Sequence, residues 1–303
     1  MSDEPYPAKA LRPRTESRDR RRERFIVTGL VGLLAVIGWS YLMAMVVAMV
    51  PVMDMTEAGP GMGLLNRFNL FAGLPAEARA ALAVLCLPGE VATFGMPDGT
   101  SLAGDAGLVF VMWMMMTLAM MLPSALPVFI AHAGRWPQRH LLVSTGLLAL
   151  GYLGVWTGYA ILATAAQLVL SAAGLLSPMM APVSLVLAGT TLIAAGLYQF
   201  TPAKLSCLSR CWVPRWQSTG PDGSPRSLMQ EGLVQGLACF GCCWAMMTVM
   251  FAVGIMNIVW VAVLGIIMTV EKNVPSLWLY KLIGVFLIAW GGLLLVLATG
   301  ALA

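Results

Sequence analysis

Apolar residues come in long runs along this chain, and polar positions gather between them. Seven stretches stand out: Phe25 to Val50, Gly107 to Ala131, Leu141 to Leu170, Pro182 to Phe200, Leu233 to Val253, Ile258 to Val270 and Leu277 to Leu297. A helix rises about 1.5 Å per residue, so about 20 apolar residues cover a hydrocarbon core about 30 Å thick. Lipid cannot satisfy an open backbone, so such spans must be helical. The pattern predicts an all-α fold, a polytopic transmembrane helix bundle of about seven spans. The sixth run is short, and its boundary with the fifth falls at Gly254 to Asn257. The first is too long for the apolar part of a cleaved signal peptide and follows a long basic segment, so it reads as a retained anchor.

Between the runs, residues 1–24 are Pro- and Arg-rich without periodicity, which predicts a disordered basic tail ahead of a membrane domain at 25–303. The largest interval, 51–106, holds PAEARAALAVLCL at Pro75 to Leu87, the pattern of a short amphipathic helix with proline at its start. Ser206 to Gly232 reads as a loop containing the turn-rich stretch QSTGPDGSPRS. Glycines four apart, Gly154 with Gly158 and Gly232 with Gly236, permit close helix contact.

Composition agrees with the pattern. Hydrophobic residues make up 59% and charged residues 11%, with mean hydropathy +0.83, which excludes a soluble globular domain. Charge then orients the bundle. Arg20, Arg21, Arg22 and Arg24 abut the first run and hold the amino terminus inside. Interval 51–106 is acidic, with Asp54, Glu57, Glu77, Glu90, Asp98 and Asp105 against Arg67 and Arg79, and suits the outer side. Arg135, Arg139, Lys204, Arg210, Arg215, Arg226 and Lys272 all fall inside under that orientation, and seven spans put the carboxyl end outside. Proton relays and ion pumps place charges within the membrane, whereas here they flank the runs, so chemistry at depth falls to softer groups.

The softer groups are sulfur. In CFGCCWAMM, Cys239, Cys243, Met246 and Met250 share one helical face, with Cys242 close by and Gln235 one turn before as a supporting donor. Cys207 and Cys211 of CLSRC would present two thiols on one helical turn, on the side where thiols stay reduced. Methionine periodicity repeats on two further helices: Met45, Met49 and Met53, then Met112, Met116 and Met120, with Met121 adjoining. For any single methionine, gap-filling in an apolar interior is a sufficient account. Three helices with periodic sulfur faces suggest more. Thiolate and thioether together select Cu(I), while thiolates alone would also suit zinc or an iron–sulfur cluster. Depth along the helices suggests two sites, a CxxxC pair at the inner surface and an embedded Cys/Met site, unless the CLSRC segment folds back into the bundle. His132 and His140 read as solvated or interfacial side chains, and Cys86 as a lone apolar residue.

Three motifs carry a resemblance: WMMMTLAMMLPS at Trp113 to Ser124, YQFTPAKLSCLSRC at Tyr198 to Cys211, and GLACFGCCWAMM at Gly236 to Met247. Their order and spacing resemble those of a bacterial family of predicted metal-binding integral membrane proteins of unknown function. The resemblance implies a multi-pass protein of the bacterial inner membrane. It also implies a ligand set of Cys207, Cys211, Cys239, Cys242 and Cys243, with Met116, Met120 and Met121 as the companion motif; Met246 joins them on the residues' own spacing. The expected function is soft-metal binding, with copper as the ion and zinc as the alternative, in metal uptake or delivery. Expected partners are the metal ion, the lipid bilayer, and a membrane enzyme complex or metallochaperone. The competing reading is an accessory or structural subunit of a larger membrane enzyme complex. The chain carries no catalytic triad, no phosphate-binding glycine loop and no nucleic-acid signature, so it reads as neither an enzyme nor a nucleic-acid binder.

Overall fold

The structure is a computed structural model that describes residues 15–50, 53–69, 101–135, 141–177, 179–216, 224–276 and 278–300. In chain order the helices are α1 (Thr15–Met49), α2 (Leu102–Ala133), α3 (Leu141–Ala172), α4 (Leu185–Tyr198), α5 (Pro202–Trp212), α6 (Pro225–Thr248), α7 (Ile258–Asn273) and α8 (Leu279–Ala298). Short 3-10 turns lie at Met55–Ala58 and Met62–Phe68, and a helical turn at Met250–Val253 prolongs α6. The fold is all-α, with no strand among the described residues beyond an isolated bridge between Leu176 and Pro182. Pro75 to Leu87, Cys86 and His140 fall outside the described residues.

Helix boundaries follow local chemistry. Ser101, Ser184, Thr201, Ser224 and Asn257 each turn a side-chain oxygen onto a backbone N–H of the first helical turn that follows. Pro202 and Pro225 sit in the first turns of α5 and α6, where a missing N–H costs nothing. Inside α2, Pro123 removes the N–H that would bond the Ala119 carbonyl. The indole N–H of Trp39 on α1 donates to that carbonyl at 3.1 Å, so α2 continues and gains a tie to α1.

Among the described residues, five helical stretches are long and apolar enough to cross a membrane: α1, α2, α3, α8 and α6 with its extension. The count reaches six if α4 and α5, bent by 64° at Gln199 to Thr201, form one span. The helical bundle expected is thus present, with five or six candidate spans among the described residues. The fourth run gives a helix of 14 residues and the sixth one of 16, the latter about 24 Å long and shorter than a hydrocarbon core. Gly254, at φ 101°, ends the extension of α6 in a conformation few other residues adopt. At the amino end α1 starts at Thr15, so Arg20 to Arg24 belong to a helix and not to the tail expected there. The segment read as a loop after the fourth run begins with α5, which returns against α6.

Outward positions are densely apolar, among them Leu33, Val36, Val47, Leu150, Leu162, Val169, Phe286 and Leu293. Inward, glycine sets the closest crossing. A side chain at Gly232 would strike the Leu148 carbonyl, and one at Gly151 the Met229 carbonyl; at Gly236 it would meet the Tyr152 carbonyl at 3.0 Å. Gly232 and Gly236 thus serve the contact expected of them. Gly158 has nothing within 4 Å, and Gly151 supplies the partner position on α3.

Candidate metal centre

Two glycines of α6 assemble the site. Gly236 admits α3, so that the Tyr152 hydroxyl lies 2.9 Å from Cys239 Sγ. Gly241 leaves room for Cys207, whose sulfur occupies the space a side chain would need. The Tyr198 hydroxyl donates to the Gly241 carbonyl at 2.6 Å, tying α4 to the same turn. From there α5 runs back along α6 and brings Cys211 Sγ to 3.7 Å from Cys242 Sγ. Cys242 Sγ lies in turn 3.3 Å from Cys243 Sγ and 3.1 Å from the Cys239 carbonyl.

The expectation of two sites is corrected by this geometry. The bend between α4 and α5 folds the CLSRC segment onto CFGCC, so Cys211 adjoins Cys242 and Cys207 packs on Gly241 of the same helix. All five cysteines are free, with Cys239, Cys242 and Cys243 buried and Cys207 and Cys211 partly so. An ion about 2.3 Å from each of two sulfurs in tetrahedral geometry holds them about 3.8 Å apart, close to the Cys211–Cys242 separation. Among the described residues no group of three or more His, Cys, Asp or Glu is already disposed around one point for a metal.

Several charged groups are buried, contrary to the expectation that charges only flank the apolar runs, and one of them, Lys272, reaches a thiol. Lys204, Glu231, Glu271 and Lys272 are buried, as is Asp105. In sequence Lys204, Glu271 and Lys272 sit at the ends of apolar runs; in space α5 packs on α7 beside them. Lys204 Nζ meets Glu271 Oε2 at 2.8 Å, and the Trp212 indole donates to the Glu271 carbonyl at 2.9 Å, so both ends of α5 are pinned to α7. Lys272 Nζ donates to Cys239 Sγ at 2.9 Å and Ser124 Oγ at 2.7 Å, with Met121 Sδ at 3.9 Å. Sequence reasoning missed Lys272, Tyr152 and Ser124 as parts of the site. The available signal was weak: Lys272 lies just past an apolar run, and Ser124 is the last residue of the methionine motif.

The other predicted residues divide by depth. Met121 reaches the cluster through Lys272, and Met120 packs against Gly265 of α7. Met116 and Met246 are buried in the same core, as are Met45, Met49 and Met112, whereas Met43, off the periodic face of α1, is exposed. Gln235 shares with Cys239, Cys211, Ser124, Lys272 and Asn273 the wall of a cleft of about 20 Å³, space for about one water molecule. His132, expected at an interface, is fully buried. Its Nδ1 lies 3.8 Å from Glu231 Oε2 and its ring 5.4 Å from that of Trp216, over which the Arg135 guanidinium sits at 4.8 Å.

Residues 110–294 match the model of the PpoB2 family, described as a copper chaperone. The chain belongs to this copper chaperone family. Neither the curated proteins nor the solved structures give a match. All three motifs of the resemblance lie inside the matched segment, as do all the candidate ligands from Cys207 to Cys243. Family membership assigns the protein a copper-related function, and the thiol cluster is where its donor chemistry suits that ion.

Proposed function

We propose that the protein is a multi-pass membrane copper chaperone that binds Cu(I) on the thiols joined by α5 and α6 and passes it to an acceptor protein. The observation that carries this reading is the 3.7 Å approach of Cys211 Sγ to Cys242 Sγ, two residues 31 apart in the chain, at the spacing of two ligands on one ion. Softness favours Cu(I) over zinc, because the Met121 thioether shares the Lys272 ammonium with the Cys239 thiol and zinc has little use for a thioether. The exposed apolar helix faces support insertion in a bilayer, and the arginine-rich start of α1 supports an amino end on the inner side. Cys207 and Cys211, partly exposed on the returning α5, are the thiols an acceptor would reach first. Transfer then proceeds by ligand exchange, each incoming thiolate forming a Cu–S bond as an outgoing one breaks, with no change in oxidation state. The protein is read as a carrier and not as an enzyme.

The test is metal analysis of the detergent-purified protein loaded with Cu(I) under anaerobic, reducing conditions, followed by mixing with a thiol-rich copper acceptor. Stoichiometric copper that moves to the acceptor supports the reading. Protein that retains no copper, or prefers zinc from an equal mixture, overturns it and leaves the accessory-subunit reading.

A further inference from the structure

Lys272 is an odd neighbour for a copper site. It is buried, and its three N–H bonds face three acceptors, Cys239 Sγ, Ser124 Oγ and Met121 Sδ. Two of those are sulfurs from the candidate ligand set, on different helices, and the side chain lies between them. A monovalent cation therefore already sits where a soft monovalent cation would be held. We propose that the Lys272 ammonium is a tethered stand-in for the ion, so that Cu(I) loading at Cys239 is the exchange of one monovalent cation for another. This inference rests on the copper reading of the same site.

The surroundings are built for such an exchange. A buried thiolate without a countercharge is costly, and a buried ammonium without acceptors equally so. While Lys272 is seated, each compensates the other. When Cu(I) arrives on an external thiol carrier, the Cu–S bond to Cys239 forms as the bond to the carrier breaks. The ammonium keeps its protons and moves aside; no electron is transferred. The charge in contact with Cys239 Sγ is unchanged, because one monovalent cation has replaced another there, and the ammonium carries its own charge into the cleft. A divalent ion entering by the same route would add one positive charge, which makes Lys272 a residue that sets specificity by charge as well as by sulfur. The cleft beside Cys239, with Gln235, Asn273 and Ser124 in its wall as well as Lys272, gives the displaced ammonium a small space with polar side chains at hand. On release the lysine returns and fills the position left by the ion.

Lys204 provides an internal control. It too is a fully buried lysine, but its partner is Glu271 at 2.8 Å and no sulfur. The intact detergent-solubilised protein, without and with Cu(I), would be exposed briefly to a small water-soluble acylating reagent, and modification at each lysine read by mass spectrometry. Silver(I), a soft monovalent ion inert to redox, is the second probe. Displacement predicts that Lys272 labelling rises severalfold on loading with either ion while Lys204 labelling does not change. In Cys239→Ala, where the sulfur anchor is absent, Lys272 should label readily without any metal. Copper bound to the parent protein with Lys272 still protected would overturn the exchange and leave the copper reading standing. So would a parallel rise at Lys204, which would signal general loosening. A parent protein that binds neither ion would overturn both. A Lys272→Arg variant, whose bulkier guanidinium cannot withdraw into so small a cleft, should load Cu(I) more slowly than the parent at equal stability; equal loading rates would count against the exchange.

Discussion

Around Cys239 the sulfurs have polar company: a lysine ammonium, which also holds a serine hydroxyl, a tyrosine hydroxyl, and other thiols within hydrogen-bonding reach. Around Met112 and Met116, a few turns along the same bundle, the company is aromatic and apolar. Trp113 stacks on Phe251 at 5.4 Å and sets its indole N–H on Gln167 at 2.9 Å, and the methionines fill the remaining space. Both regions are buried and rich in sulfur. The difference is that a thioether is content in an apolar interior, whereas a thiolate with a positive partner is not placed there for packing. Sulfur count alone does not separate a site from a core. The polar partners do.

The largest test of that contrast is Cys242→Ala. Cys242 is the sulfur adjoining both Cys211 and Cys243, so its loss removes both close pairs at once. Losing a direct ligand should exceed the 10–100-fold typical of an outer partner, so Cu(I) affinity should fall by about a hundredfold or more, measured by competition with a chromogenic Cu(I) chelator. Cys207→Ser combined with Cys211→Ser should cost nearly as much, because one cluster is being emptied from its other side. A variant keeping half the copper would restore the two-site arrangement.

Next in size is the pin that holds α5 in place. Glu271→Ala strands Lys204 as a buried, unpaired ammonium and should cost about 3–5 kcal/mol, read as thermal unfolding in detergent. Alongside, Cys207 and Cys211 should react faster with a maleimide as α5 loosens. Replacing the pair together, Lys204→Met with Glu271→Leu, should recover most of the stability, since two matched apolar groups need no partner.

A smaller effect is expected where α3 crosses α6. Gly232→Ala drives a methyl group into the Leu148 backbone and should cost about 1–3 kcal/mol, while lowering copper affinity by moving Tyr152 off Cys239. Gly158→Ala, with open space around it, should leave melting and copper binding unchanged. Equal losses at both glycines would mean that the crossing does not set the site.

How much of this could be read from the chain depends on the range of the interaction. The all-α class, the long helices and the buried faces of Met45, Met49, Met116 and Met120 followed from periodicity, which is a local property. The cysteines were found because thiols are rare and their spacing on α6 is regular. What could not be read was how α5 returns. Thr201 and Pro202 announce a helix start, but a 64° bend is decided by packing of Tyr198 on Trp244 and Cys207 on Gly241. That bend converts two predicted sites into one. It also explains the buried charges: Lys204, Glu271 and Lys272 border apolar runs in sequence, and only the tertiary fold says that another helix covers them.

The smallest effect is expected in the methionine region. Met116→Leu and Met120→Leu keep the volume nearly constant, so each should cost less than about 1.5 kcal/mol of stability. If these thioethers serve packing, as their apolar surroundings imply, equilibrium copper affinity should be unchanged in both variants. Met121→Leu is the sharper comparison, because Met121 Sδ lies 3.9 Å from Lys272 Nζ at the edge of the thiol cluster while its neighbour Met120 packs on Gly265. Met121→Leu should weaken copper binding measurably, by less than any cysteine variant, and Met120→Leu should not. Parallel behaviour of the two would mean that adjacency to the charged cluster is irrelevant. A copper defect in Met116→Leu as large as that in Cys242→Ala would place the ligand field in the methionine region and remove the distinction between its sulfurs and those of α6.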